Sequence, residues 1–405
     1  MWIPTRAEGN GAPISQSWAD RQIFWGCSAL FFFLPLTTSG VSLAGGWVIL
    51  VWLFSGKFFR ERGKWLHQPW TAPVALFMLL PWVGLIWSDD KILGLDWATK
   101  SFIWFLSFAV VSLACERQLL PFFLKWFLAG LVLVSVISLL QYFSVLPMKE
   151  QVPSLLEGSR ITGSLFLVFG MLILSFEYRR CLKMGDKIVL LLTLTLFFVT
   201  LLATGGRAGY LAFVLLLPLM VYHLAGGIRL LFKVLIGLVV VALLFLSPVV
   251  IDRTVEIGQD LTLYRQKNPN TSVGIRLHMW EGAVKIFRDN PLLGAGTGGY
   301  KKEMEKLFPS ALALEFQHMD DPHNSFLFMA ANYGLVGLFS IGWLFYVFLQ
   351  KGWRSRHVTA GFALLSYGLV LIIGSMTSTE IHSFHSGNLF ALLMGIQIEP
   401  GEPPL

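Results

Sequence analysis

The chain has 405 residues, of which 55% are hydrophobic and only 14% charged, and its mean hydropathy is +0.66. Soluble globular chains carry about 25% charged residues, so this composition excludes an ordinary soluble domain. The net charge of +7 comes without a basic stripe or an aromatic-rich binding module, which argues against nucleic acid as a partner; it fits the Lys and Arg that membrane proteins gather in cytoplasmic loops.

Taken in chain order, the stretch MWIPTRAEGNGAPISQSWADRQ is polar and lacks the basic n-region of a cleaved signal, so the first apolar run is expected to stay as an anchor. Apolar runs long enough to cross a hydrocarbon core of about 30 Å then recur along the chain. They predict about twelve helical spans near 22–37, 40–56, 70–87, 99–115, 119–143, 160–177, 187–203, 207–223, 228–250, 323–350, 357–376 and 382–398. Gly45-Gly46 could break the second or make it re-entrant. The expected fold is an all-α polytopic membrane protein with three parts: residues 1–250 with nine spans, a large loop over 251–322, and 323–405 with three spans and a short tail. Cys27, Cys115 and Cys181 offer neither a disulfide framework nor zinc spacing.

Orientation follows from the cations. Lys57, Arg60, Arg62, Lys64, Arg179, Arg180, Lys183, Lys187, Arg229, Lys233, Lys351, Arg354 and Arg356 fall in alternate connections, with Arg6, Arg21, Arg117 and Lys125. The short connections between them hold only Lys91, Lys100, Lys149, Arg160 and Arg207. The richer side is cytoplasmic, which places both termini inside and the loop 251–322 outside.

Three stretches on the outer side carry candidate chemistry. In TGGRAGYLAF, Gly205 and Gly206 permit a tight turn and Arg207 opens the next helix. A cation is unfavourable in a first helical turn, so Arg207 either reaches headgroups or holds an anion beside exposed N–H groups. In SVGIRLHMWEGAVKIFRDNPLLGAGTGGY, the spacing of Ile275, Met279, Ala283 and Ile286 predicts an amphipathic helix of about 14 residues. Arg276 lies at its start, Asn290-Pro291 ends it, and Gly294, Gly296, Gly298 and Gly299 form a flexible turn before Tyr300. In DDPHNSFLFMAANYGLVG, Asp320 or Asp321 is expected to cap a helix with Pro322 at its first position. His323 then falls in the first turn, where the helix dipole favours neutral imidazole and the aspartates favour the cation. Two guanidiniums and an imidazole on one side suit a diphosphate and a proton acceptor. Nucleotide donors are scarce outside an inner membrane, so the donor would be a sugar already activated on a lipid diphosphate.

These stretches resemble the O-antigen ligase and polymerase superfamily: GGRAGYLAF with Arg207; R-x3-W from Arg276 with NPLLGAG; and HNS from His323, in that order. The similarity is strong over about 200–340 and elsewhere rests on hydrophobic pattern and span number. The resemblance implies a metal-independent, inverting glycosyltransferase of GT-C-like membrane architecture, needing no cofactor. It would move a glycan (O-antigen) from undecaprenyl diphosphate to lipid A–core oligosaccharide at the periplasmic face of the bacterial inner membrane, among membrane lipids. Carried over, Arg207 and Arg276 would bind the diphosphate, His323 would orient or deprotonate the acceptor hydroxyl, and Tyr300 and Asn324 would support substrate binding. Arg160, in SRITGSLFLVFG, matches part of a further arginine motif and is a fourth candidate, although the Pro-Asn pair that follows it in many relatives is missing. Many relatives also carry an acidic residue at the position of Asn332.

Other functions stay open at this point. A polymerase would use a similar donor and extend a second lipid-linked glycan. A metal-dependent transferase would draw on Asp89, Asp90 and Asp96. A transporter or flippase would need ionisable groups near the bilayer midplane, whereas Lys125, Glu177, Lys233 and His382 lie at predicted span ends.

Overall fold

The computed structural model describes residues 17–111, 119–147, 160–266, 271–308 and 320–396. Cys115, Arg6, Arg117, Lys149 and the C-terminal tail lie outside them. The described residues form helices and connections, with no strand. In chain order the helices are α1 Trp18–Phe33, α2 Thr38–Phe54, α3 Lys57–Arg60, α4 Arg62–Leu66, α5 Thr71–Gly84, α6 Lys91–Thr99, α7 Phe105–Val111, α8 Leu119–Tyr142 and α9 Arg160–Arg180. There follow α10 Met184–Thr204, α11 Arg207–Leu224, α12 Leu230–Phe245, α13 Pro248–Arg265, α14 Ser272–Asp289, α15 Gly299–Leu307, α16 Ser325–Arg354, α17 Thr359–Ser375 and α18 Phe384–Gly395.

Helix occupies each of the twelve predicted positions, but most of these helices are short. Among the described residues, α8, α9, α10, α11 and α16 are long and apolar enough to cross a membrane. A sixth crossing arises if α12 and α13, bent 79° apart, count as one. A helix of 14 residues such as α5 reaches only about 21 Å at 1.5 Å per residue, short of a ~30 Å core. The sequence of α2 runs through Gly45-Gly46 without a break.

α9 sits at the centre, buried along nearly its whole length, and packs against α10, α11 and α17. Two sets of helix ends are tied together at opposite ends of the bundle. At one end Thr162 of α9 bonds Glu380 (3.0 Å), and Asn324 donates from Nδ2 to the Met376 carbonyl (3.0 Å). At the other, Arg180 donates to the His357 carbonyl (2.7 Å), and Lys351 donates to the Met394 carbonyl (2.8 Å) at the C-terminus of α18. Thus Arg160, Arg207 and His323, at the N-termini of α9, α11 and α16, share the end opposite Arg179, Arg180, Lys351 and Arg356.

The glycine-rich turn is not the flexible surface segment that its composition predicts. α16 is broken at Gly334, whose φ of 62° and ψ of −145° belong to no helix. In an unbroken helix the N–H groups of Leu335 and Val336 would bond the carbonyls of Ala331 and Asn332. Here Leu335 and Val336 donate to Pro291 (2.8 Å) and Leu292 (3.4 Å), while Ala331 and Asn332 accept from Ala295 and Gly296 (2.9 Å each). Residues 291–296 are therefore laced into the break, about 14 Å along α16 at 1.5 Å per residue. Irregular backbone within a membrane bundle is tolerated only when so satisfied. Thr297 fastens the other side: its Oγ donates to Pro81 (2.6 Å), its N–H to Gly84 (3.2 Å), and its carbonyl accepts from Ser88 Oγ (2.7 Å).

α14 is longer than expected, with 18 residues capped by Thr271. Met279, Ala283 and Ile286 are buried on its inner face; Ala283 and Ile286 form a small separate core with Tyr300, Met304 and Ala331. That core and the lacing fix α14 over the mouth of the bundle.

A Cβ at Gly334 would lie 2.5 Å from the Leu292 carbonyl oxygen, and its conformation alone costs a non-glycine residue roughly 1–3 kcal/mol. Gly334→Ala is expected to lower the unfolding temperature in detergent markedly. Gly342→Ala, in the same helix with nothing within 4 Å, is expected to leave it nearly unchanged; equal shifts would contradict the lacing.

Candidate functional site

Arg207 is the first residue of α11, as the sequence predicts, with Gly206 as N-cap. A Cβ on Gly206 would lie 2.5 Å from Ser164 Oγ and 3.2 Å from the Arg160 carbonyl. Only glycine lets the starts of α9 and α11 meet, and this brings the backbones of Arg160 and Arg207 side by side. The Arg207 guanidinium pairs with Glu256 of α13 at 2.7 Å, its side chain 22% exposed and that of Glu256 43%. Asp260, one turn further along α13, accepts from the Val273 N–H (3.2 Å) at the start of α14.

Arg276 extends from the first turns of α14. Burial pushes its pKa below the ordinary guanidinium value, and the charge of Arg207 pushes the same way. The two cations thus lie within electrostatic reach of one another. Like charges this close favour an anion nearby, and Glu256 already supplies one to Arg207.

One turn beyond Arg276, Trp280 donates from Nε1 to the Pro322 carbonyl at 3.0 Å. α14 therefore links the arginines to His323. The N-terminus of α16 differs from expectation. The helix starts at Ser325, and its cap is Asn324, whose Oδ1 accepts from the N–H groups of Phe326 (3.0 Å) and Leu327 (3.1 Å). Asp320 does not cap it but pairs with Lys301 at 2.8 Å. His323 precedes the helix at a φ of 47°, an uncommon conformation for a non-glycine residue. Asp321 holds it there: Oδ1 accepts the His323 N–H at 2.7 Å and lies 3.4 Å from Nδ1. Thr379 Oγ donates to the same oxygen. That carboxylate therefore lies beside the Nδ1 side of the ring. The imidazole is 47% exposed and faces water.

Two expected contact residues do other work. Tyr300 is fully buried, and its hydroxyl donates to the Met279 carbonyl at 3.0 Å. Burial, reinforced by the Asp321 charge, holds its pKa well above the ordinary phenol value. Through its bond to Met279 it braces α14 against α15, where the sequence expectation gave it a part in substrate binding. Asn324 spends its amide on the cap and on Met376. Asn332, fully buried, accepts the Tyr300 N–H through Oδ1 (3.4 Å) and donates to the Phe328 carbonyl (3.0 Å).

Asp89, Asp90 and Asp96 do not converge. Asp90 caps α6 through the Leu93 N–H (3.1 Å), Asp89 pairs with Lys306 (3.2 Å), and Asp96 pairs with Lys100 (2.9 Å). No group of three His, Cys, Asp or Glu among the described residues is placed to hold a metal ion.

The partners Glu256 and Thr379 were not assigned roles from sequence, and Asp321 was expected as a helix cap and as a charge beside His323 rather than as the acceptor of its N–H. Thr379 and Glu256 come from distant segments and leave no local signal. Behind Thr379, the carboxylate of Glu380 is buried among Thr162, Ser383 and Ser386. Burial raises its pKa above the ordinary value although those hydroxyls oppose the shift. It ties the start of α9 to the connection that supports Asp321.

Residues 191–342 match a family model described as O-antigen ligase. Over that stretch, less than half of its length, the chain is similar to the O-antigen ligase superfamily. The match takes in Arg207, Arg276, Tyr300, His323 and Asn324, whereas Arg160 lies before it. A Haemophilus influenzae protein described only as uncharacterized is 27% identical over 140 residues, covering 32% of this chain and 35% of that protein. The chain thus spans about a third of the relative that it matches. The helices and the superfamily together make this an integral membrane protein.

If the paired arginines form an anion site, inorganic pyrophosphate should raise the unfolding temperature of the detergent-solubilised protein. At 100 times its dissociation constant the stabilisation would be about 2.7 kcal/mol. Arg276→Ala should abolish the shift. Glu256→Gln should strengthen binding a few-fold, since a half-exposed ion pair contributes up to about 1 kcal/mol. Weaker binding by the Glu256 variant would show that this carboxylate does not compete for Arg207.

Proposed function

We propose that the protein is an inverting, metal-independent glycosyltransferase of the ligase type. It transfers a glycan from undecaprenyl diphosphate to the lipid A–core oligosaccharide at the periplasmic face of the inner membrane. The observation that carries this is Arg276, partly buried and within the field of Arg207, at the end of the bundle that also holds the Asp321-held His323. Two guanidiniums with one half-exposed carboxylate, Glu256 on Arg207, beside an oriented imidazole, suit a diphosphate leaving group and a hydroxyl nucleophile. The superfamily supports lipid-linked glycan chemistry in a membrane. The excess of Lys and Arg at the opposite end of the bundle supports a periplasmic site and cytoplasmic termini.

In this mechanism the acceptor hydroxyl oxygen attacks the anomeric carbon from the face opposite the diphosphate. The bond from that carbon to the phosphate oxygen breaks, and the configuration inverts. The hydroxyl proton passes to Nε2 of His323. The electron pair leaves with the diphosphate, whose charge Arg207 and Arg276 neutralise. Arg160, beside Arg207 at the helix starts, adds a further donor-side contact. Asp321 and Thr379 fix the imidazole, Asn324 positions it by capping α16, and Tyr300 positions α14.

His323→Ala should lower turnover by roughly 10²–10⁴-fold in a protein that inserts and folds. Arg207→Lys and Arg276→Lys should rescue poorly, because an ammonium cannot make the two-pronged contact. Asp321→Asn should lower turnover with little change in donor KM. Tyr300→Phe should cost about 1 kcal/mol of stability and keep most of the activity. The deciding assay offers purified protein a lipid-linked glycan together with either lipid A–core or a second lipid-linked glycan. Consumption of lipid A–core supports the ligase; consumption of the second lipid-linked glycan instead makes the protein a polymerase.

A further inference from the structure

Next to the His323 turn, Trp280, Glu281, Val284, Lys285, Arg288 and Leu327 line an open groove of about 430 Å³. This volume lies within the ~300–1,000 Å³ of small-molecule sites. Residues 281, 284, 285 and 288 fall on one face of α14 by helical spacing. From Trp280 to Arg288 the groove follows the helix for about 12 Å at 1.5 Å per residue. Leu327, in the first turn of α16, closes its inner side. One end of the groove therefore adjoins Pro322 and His323, and the other opens at the C-terminus of α14.

Its chemistry is that of a saccharide site with an anion contact. The Trp280 N–H is already given to Pro322, so what remains for a ligand is the apolar indole face. Such a face packs against the C–H face of a sugar ring, and Val284 and Leu327 extend it. Lys285 is held by Glu281 at 3.0 Å and lies 5.0 Å from the centre of the Phe308 ring. Arg288 stands exposed in the last turn of α14. Two cations against one carboxylate leave the groove positive, and the planar fork of Arg288 matches a phosphate or carboxylate.

We infer that this groove receives the anionic saccharide of the acceptor, with Trp280 under a sugar ring and Lys285 and Arg288 on its phosphate or carboxylate substituents. The inference rests on the transferase function proposed above and adds a recognition element to it. A saccharide bound here would run along α14 toward His323. Arg276 occupies the other stretch of the same helix, within the field of Arg207 at the start of α11, so donor and acceptor would meet at the imidazole.

The test uses full-length protein in nanodiscs of neutral lipid, so that no anionic headgroup competes. Two acceptors are compared, intact lipid A–core and the same glycolipid stripped of its phosphates. Transfer is measured, and so is direct binding through the ligand-induced shift in unfolding temperature. For the wild type, stripping should weaken acceptor binding about tenfold. Arg288→Ala and Lys285→Ala should raise the KM for intact acceptor about tenfold, leave donor KM unchanged, and no longer distinguish the two acceptors. Equal binding of intact acceptor by the wild type and both variants would overturn the groove assignment. So would variants that still prefer the intact form by the same factor. Absence of transfer by the wild type with either acceptor would instead sink the transferase function, and is read separately from binding.

Discussion

The exchange of backbone hydrogen bonds between residues 291–296 and the break of α16 is the constraint on which the site depends. Neither partner is stable alone. A helix opened at Gly334 inside an apolar bundle would leave the Ala331 and Asn332 carbonyls and the Leu335 and Val336 N–H groups unpaired, each at a cost of several kcal/mol in lipid. The segment after Pro291 would likewise hold unpaired groups against the bundle. Joined, they satisfy one another. Because Thr297 ties the same segment to α5, the preceding α14 is anchored at its C-terminal end, and at its N-terminal end by Asp260 of α13. A segment that its sequence places in a long external loop thereby becomes part of the packed structure.

Electrostatics then acts on a fixed frame. Arg276 lies within the field of Arg207, on helices that are both held in place, and Glu256 supplies the carboxylate now on Arg207. In the proposed reaction a diphosphate, with more charge than one carboxylate and oxygens for both guanidiniums, would take its place. His323 is likewise set in advance. An unusual backbone conformation, a carboxylate on its N–H and near its ring, and a threonine on that carboxylate define its orientation without a ligand. Preorganisation of this kind places polar groups where charge will develop and avoids the cost of rearranging them during reaction.

The sequence made part of this legible. The cation pattern alone puts Arg207, Arg276 and His323 on the same side of an apolar chain, and the period of Met279, Ala283 and Ile286 matches the buried face of α14. The lacing was hidden because it consists of main-chain bonds between distant segments. Gly334 sits in AANYGLVG, which reads as helix throughout, and the glycines of NPLLGAGTGG read as a loose turn. The start of α16 was misplaced for a local reason: Asp321 and Asn324 are both good caps, and the contacts of Asp321 with His323 and Thr379 leave the cap to Asn324. Tyr300 lies in a motif, but burial and its bond to Met279 make it a brace. Hydropathy gives the place of a helix and not whether it reaches across the bilayer, and among the described residues five helices pass on length and composition.

The most direct test is a cryo-EM structure of the protein in a nanodisc with an undecaprenyl-diphosphate glycan bound. The account predicts the diphosphate between the Arg207 and Arg276 guanidiniums, Glu256 displaced from Arg207, and His323 Nε2 facing the anomeric carbon on the side away from the phosphate. A diphosphate seated elsewhere, with the Arg207–Glu256 pair intact and His323 turned from the sugar, would contradict it.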